Sequence, residues 1–215
     1  MKSTQDLKKE GLKYLFNIKW DSSAYFLIVV NIIIIIIAII KQFDFLTLLF
    51  IYWCQSVIIG LFNFIRIFNL KNFTTENIEV NNQKIKPTKA SRNFIAFFFL
   101  FHYGFFHVIY LMFLMNNLHS GFLFILPISL SVGLFFLNHL FSFIKNFKQD
   151  TEKKQDLGKV MIFPYARIIP MHFSIILGFG FLSLFGNGDD SIMIIFFLIL
   201  KTVADVVMHN REHRD

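Results

Sequence analysis

The sequence predicts an all-α polytopic membrane protein, a bundle of six transmembrane helices with both termini cytoplasmic. Three observations predict it. Of 215 residues, 55% are hydrophobic and only 16% charged, against about 25% charged in an average soluble domain. Six apolar segments each approach the roughly 20 helical residues needed to cross a hydrocarbon core about 30 Å thick. Basic residues crowd one flank of these segments in alternation, and cytoplasmic connections are the ones that carry Lys and Arg.

The same composition excludes a disordered chain, a disulfide scaffold and a soluble α/β enzyme. Net charge is +7, but the basic residues flank apolar runs and form no aromatic-interleaved patch, so no nucleic-acid partner is expected. The single cysteine, Cys54, lies inside an apolar run. It allows no intrachain disulfide and no Cys-rich zinc module.

Taken in order, residues 1–22 form a cytoplasmic N-terminal segment. Leu7, Tyr14, Leu15 and Ile18 recur at helical spacing between lysines, with Trp20 placed for the headgroup region; a loosely ordered tail is the other reading. The segment is too charged for a cleavable signal peptide. Residues 23–209 form the transmembrane domain. Its spans are Ser23–Ile40, Phe45–Phe68, Phe94–Met115, Gly121–Ile144, Ile168–Phe185 and Ser191–Met208. The short connection Lys41–Asp44 makes the first two a helical hairpin. Thr74–Lys86 alternates around Asn81-Asn82 and reads as a small β-hairpin. Lys145–Lys159 reads as a solvated loop, and residues 210–215 as a cytoplasmic tail. Nineteen of the 21 basic residues then fall on one side, Lys41 alone on the other, and Lys201 inside the sixth span. Gly60, Gly104, Gly133, Gly178 and Gly180 allow close helix packing, and Pro127 and Pro170 kink their helices.

Function must lie with the few polar groups at membrane depth, because each ionisable one costs about 2.5–3.5 kcal/mol on insertion scales. They are Gln55, Ser56 and Asn63 in the second span; His102, Tyr103 and His107 in the third; Asn138 and His139 in the fourth; His172 in the fifth; and Lys201, Asp205 and His209 in the sixth. Asp205 and His209, four apart, share a helix face. With His102 and His172 they make a candidate metal set, three imidazoles and a carboxylate, which suits zinc or another divalent ion. Such an ion activates a bound water, with Gln55 or Tyr103 as candidate catalytic groups orienting the water or a substrate carbonyl. The blander reading is that Lys201, also four residues from Asp205, neutralises it, and that His107 and His139 serve helix packing.

Four stretches carry a resemblance: Tyr52-Trp53-Cys54-Gln55 with Gly60 and Asn63; His102-Tyr103-Gly104 with Phe106; Pro164-Tyr165 with Arg167-Ile168 and His172; and Lys201, Asp205 and His209. Through them the chain resembles an uncharacterised family of bacterial and archaeal integral membrane proteins, known mainly as a domain of unknown function. The resemblance implies a helical membrane fold with a shared polar site. It also implies two departures here: an acidic residue where Gln55 stands, and a second histidine near Tyr110. A more distant similarity is to the ceramidase- and adiponectin-receptor-like intramembrane hydrolases, which hold zinc near the cytoplasmic leaflet.

The leading expectation is therefore a metal-dependent membrane enzyme, acting on an amide or ester bond in a lipid within the bilayer. The alternatives are a transporter or channel for a cation or small solute, a heme carrier using His102 and His172, and a non-catalytic membrane scaffold.

Overall fold

The computed structural model describes residues 22–117 and 125–165, together with 168–169, 172, 194, 197–202 and 204–205; the side chains of 23, 24 and 117 are not described. Within them the chain is mostly helical. Helix α1 is Ser22–Ile40 and α2 Phe45–Asn69. Three two-residue strands follow: β1 Phe73–Thr74, β2 Glu79–Val80 and β3 Gln83–Lys84. Then come α3 Lys89–Asn117, α4 Ile125–Glu152, β4 Gln155–Asp156 and the short α5 Leu157–Ile162. Among the described residues, α2, α3 and α4 are long and apolar enough to cross a membrane, and Tyr25–Ile40 is a shorter apolar stretch. The expected fifth and sixth spans fall largely outside the described residues. Those of their positions that are described, including 197–202 and 204–205, are helical.

Burial follows helical periodicity. In α1 the buried residues Leu27, Val30, Ile34 and Ala38 form one stripe, while Ile32, Ile36, Ile39 and Ile40 are exposed. In α3 Ile95, Phe99, Tyr103, His107, Tyr110 and Leu114 turn inward, and Phe94, Phe101, Phe105 and Met112 turn outward. An apolar residue on the outer face of a helix made for lipid is in its own solvent. Helix α2 is the hub and packs against α3, α4 and α5. The α1–α2 turn is tight, with Gln42 at φ 51° and Asp44 capping α2 through Thr47 N–H at 2.7 Å. Yet α1 packs chiefly against α4 rather than α2, so the expected hairpin is a connection more than a packed pair.

The hairpin around Asn81-Asn82 is present. Strands β2 and β3 pair antiparallel, and both asparagines take positive φ (51° and 61°), the backbone a two-residue turn of matching twist requires. Two expectations are corrected. Residues 145–152 are not loop but the continuation of α4. Beyond it β4 pairs in parallel with β1, Phe73 opposite Gln155 and Thr74 opposite Asp156. The physical reason is that the polar turns of α4 are stabilised from outside: Lys71 N–H donates to Thr151 O at 2.8 Å, and Asn72 Nδ2 to Glu152 O at 2.7 Å. Pro127 lies in α4, two residues inside its first described position, Ile125. Gly104 and Gly133 face open space: a Cβ on either would meet nothing within 4 Å. Of the five expected close-packing glycines, Gly178 and Gly180 lie outside the described residues, and of the three described only Gly60 brings two helices together. Its added Cβ would fall 2.9 Å from Tyr103 Cδ1 and nearer still to Cε1.

The two polar connections are stitched into one cap at the end of the bundle. Arg66, in the last turn of α2, reaches Gln155 Oε1 at 3.0 Å and lies 3.7 Å from Asp150. Asn63 Nδ2 donates to Val160 O at 3.1 Å. Arg92 donates to Leu70 O at 2.8 Å and stands over the Phe68 ring. Asp156 caps α5 through Gly158 and Lys159 N–H. The C-terminal ends of α2 and α4 and the N-terminal end of α3 therefore share one end of the molecule.

Candidate functional site

Four segments converge on one buried charged cluster. Lys201 and Asp205, one helical turn apart, form an ion pair with Nζ–Oδ2 at 2.6 Å, and both are almost wholly buried. From α1, Asn31 accepts a hydrogen bond from Lys201 Nζ. Its amide nitrogen is spent on Leu27 O at 2.9 Å, which leaves the oxygen facing the lysine. From α2 and α4, the rings of Tyr52 and Phe135 lie under the ammonium, 4.2 and 4.5 Å from it to their centroids. Phe197 closes on Tyr52 at 5.0 Å. A desolvated ammonium is stabilised by ring faces as well as by oxygen acceptors. The buried charge is thus matched by a carboxylate, an amide oxygen and two aromatic faces.

Gln55 links this pair to a histidine. Its Nε2 lies 3.1 Å from His139 Nε2 and 3.4 Å from Asp205 Oδ2. An amide nitrogen offers two donors and no acceptor. Both neighbours must then accept, so His139 presents an unprotonated Nε2 and carries its proton on Nδ1. A protonated His139 would set N–H against N–H and favour the flipped amide, whose oxygen would turn toward the carboxylate. Gln55 therefore couples the protonation state of His139 to the hydrogen bonding of Asp205.

A second cluster lies beside it on α2 and α3. Ser56 Oγ is 2.7 Å from Tyr103 OH and 3.0 Å from His107 Nε2. His107 Nδ1 is 2.8 Å from Tyr103 O, and Trp53 Nε1 donates to His107 O at 2.9 Å. With a backbone carbonyl opposite Nδ1, that nitrogen holds the proton and Nε2 accepts from Ser56. The ring of Tyr103 lies against Gly60, so these side chains hold a close contact between α2 and α3.

The residues of the expected metal set have separate partners. His102, on the exposed face of α3, meets Tyr165 OH through Nδ1 at 2.8 Å and stacks on Phe98. His172 hydrogen-bonds Tyr110. Asp205 belongs to Lys201 and Gln55. His209 lies outside the described residues. Among the described residues no three of His, Cys, Asp and Glu are gathered as a metal-holding group. Of the two candidate catalytic residues, Gln55 sits at the charged cluster and Tyr103 in the packing cluster. The ion pair allowed by the spacing of Lys201 and Asp205 is formed.

Sequence reasoning missed Asn31 and Phe135, and singled out Tyr52 only as part of a stretch that carries the resemblance, with no role at the cluster. Asn31 had a signal: it is the lone amide in an otherwise apolar span. Phe135 had none, being one of 31 phenylalanines.

No curated protein and no solved structure matches the chain. A family model matches residues 16–215, which takes in every segment that builds the charged cluster, and the chain belongs to that family of unknown function, DUF6498.

Proposed function

We propose that the protein is a six-span membrane transporter for a cation or small solute, with both termini cytoplasmic, in which proton exchange at Asp205 and Lys201 drives the movement. The observation that carries this reading is the buried Lys201–Asp205 pair with Gln55 and His139 attached. Ionisable groups at membrane depth are costly and mark ion pathways and proton relays more often than packing. A buried pair is a poor stability device, since its desolvation cost offsets much of its attraction.

The chemistry follows from the contacts. Protonating Asp205 removes the charge that holds the Lys201 ammonium, and the pair loosens. Protonating His139 turns the Gln55 amide and withdraws a donor from the same carboxylate. Either event changes how firmly the segment carrying residues 197–205 is tied to α1, α2 and α4. Such a proton-set change of grip is what alternating access needs. This reading is preferred to a metal-dependent lipid hydrolase because the Asp205 carboxylate is already engaged by Lys201 and Gln55. The one-sided distribution of basic residues supports the topology, as does the cap that joins the second and fourth connections.

Vesicles holding reconstituted protein and a pH-sensitive dye, given a proton gradient, should show proton flux driven by at least one member of a panel of amines, amino acids and inorganic cations. Asp205→Asn should lose the flux and His102→Ala should keep it. Wild-type protein silent to the whole panel, or an undiminished flux from Asp205→Asn, would overturn the reading.

A further inference from the structure

Lys201 places a primary ammonium in a fitted enclosure, and the enclosure is more general than its present occupant. Its walls come from three segments other than the one that bears the lysine as well as from that segment itself: Asn31 on α1, Tyr52 on α2, Phe135 on α4, and Asp205 one turn along. All four are buried, Phe135 completely. Two oxygens on different helices take N–H bonds and two ring faces take the charge. This is the donor and acceptor pattern of a receptor for R–NH3⁺, with the four-carbon stem of lysine standing where the substituent R would be. An inorganic cation would gain the oxygens but would have no N–H to direct at them. A quaternary ammonium would gain the rings but could donate to neither oxygen.

We infer that this enclosure is a recognition site for a small primary ammonium, and that Lys201 is its tethered competitor. The inference rests on the transport reading and names the class of solute. Occupation by a free ammonium displaces that of Lys201. One carboxylate cannot balance two buried cations, so the displaced lysine gives up its proton and remains as a neutral amine. A solute cation enters and a proton leaves, one for one, with no net charge added to the site. The titratable groups involved are Lys201, Asp205 and Tyr52, with His139 acting on Asp205 through Gln55.

The test removes the tether. Purified Lys201→Ala, titrated with methylammonium while its melting is followed, should be stabilised at a concentration about tenfold or more below that needed for wild-type protein, a gap of about 1.4 kcal/mol in apparent affinity. Tetramethylammonium and sodium should not replace methylammonium. The double variant Lys201→Ala/Asp205→Ala should fold and be indifferent to all three. If the single variant folds only with methylammonium present, that dependence is the same positive result. Equal responses from the single and double variants, equal effects of the three cations, or a single variant that no amine recovers while the double variant folds would overturn the proposal. Methylammonium binding in a protein that shows no proton flux with any solute would leave the site standing and remove the transport reading. Flux driven only by solutes without an ammonium would do the reverse.

Discussion

Gly60 shows how one missing Cβ decides a helix contact. The Tyr103 ring occupies the place a side chain would take, and it cannot swing away freely because its hydroxyl is tied to Ser56 Oγ. Gly60→Ala should therefore lower stability by about 1–3 kcal/mol, the usual range for overpacking. Gly104→Ala, with nothing within 4 Å of its Cβ, should be neutral or raise stability by about 0.5–1 kcal/mol through helix propensity. Thermal melting in detergent checks both, and similar effects at the two positions would refute the distinction. In the sequence these glycines looked alike. What separates them is which face of a helix meets a neighbour, a property set by packing that one sequence does not record. The same holds for Phe135, whose ring under Lys201 differs in no local way from the lipid-facing rings around it. Asp205 and Gln55 were legible for the opposite reason: polar groups in an apolar run announce a cost that some partner must offset.

Helices and the hairpin were legible as elements because each has a short-range cause: apolar length for the spans and two left-handed asparagines for the turn. The extension of α4 to Glu152 was not legible. Its last turns are polar, and they are held by residues some eighty positions away: Lys71 Nζ binds Glu152 Oε1 at 3.0 Å. That bond and the lysine's charge hold the Glu152 carboxyl below its ordinary pKa. A carboxyl depressed on folding adds stability above its unfolded pKa and loses it as pH falls through the folded value. Amide protection at the Lys71 and Gln155 N–H groups of the cap should thus decline as pH drops through and below the ordinary carboxylate range. In Glu152→Gln it should be slightly lower at neutral pH and should show less of this decline. The pair is solvent-exposed, so the effect is small and local. An identical pH response in the variant would detach the cap's acid sensitivity from this pair.

For the whole molecule, the sequence announced the class through hydropathy and charge asymmetry, which are summed properties and survive errors in any single span. It did not announce which helices touch. Helix α1 leaves its neighbour in sequence for α4, and Asn31 thereby reaches Lys201 across 170 residues of chain. The proposed topology makes a definite claim about sides. In a Cys54→Ala background, cysteines placed at Lys84, Lys154 and Arg214 should react with an impermeant maleimide only from the cytoplasmic face, and one at Asn187 only from the opposite face. Labelling of Lys84→Cys and Lys154→Cys from different faces would contradict both the topology and the paired connections.

Those paired connections also constrain how the bundle can breathe. With β1 joined to β4, Arg66 clasped to Gln155 and Asn63 to Val160, three helix ends are riveted like the hinge of a pair of tongs. Widening at the riveted end would break all of these bonds at once. On the transport reading proposed above, a gate at that end is the costly one to open.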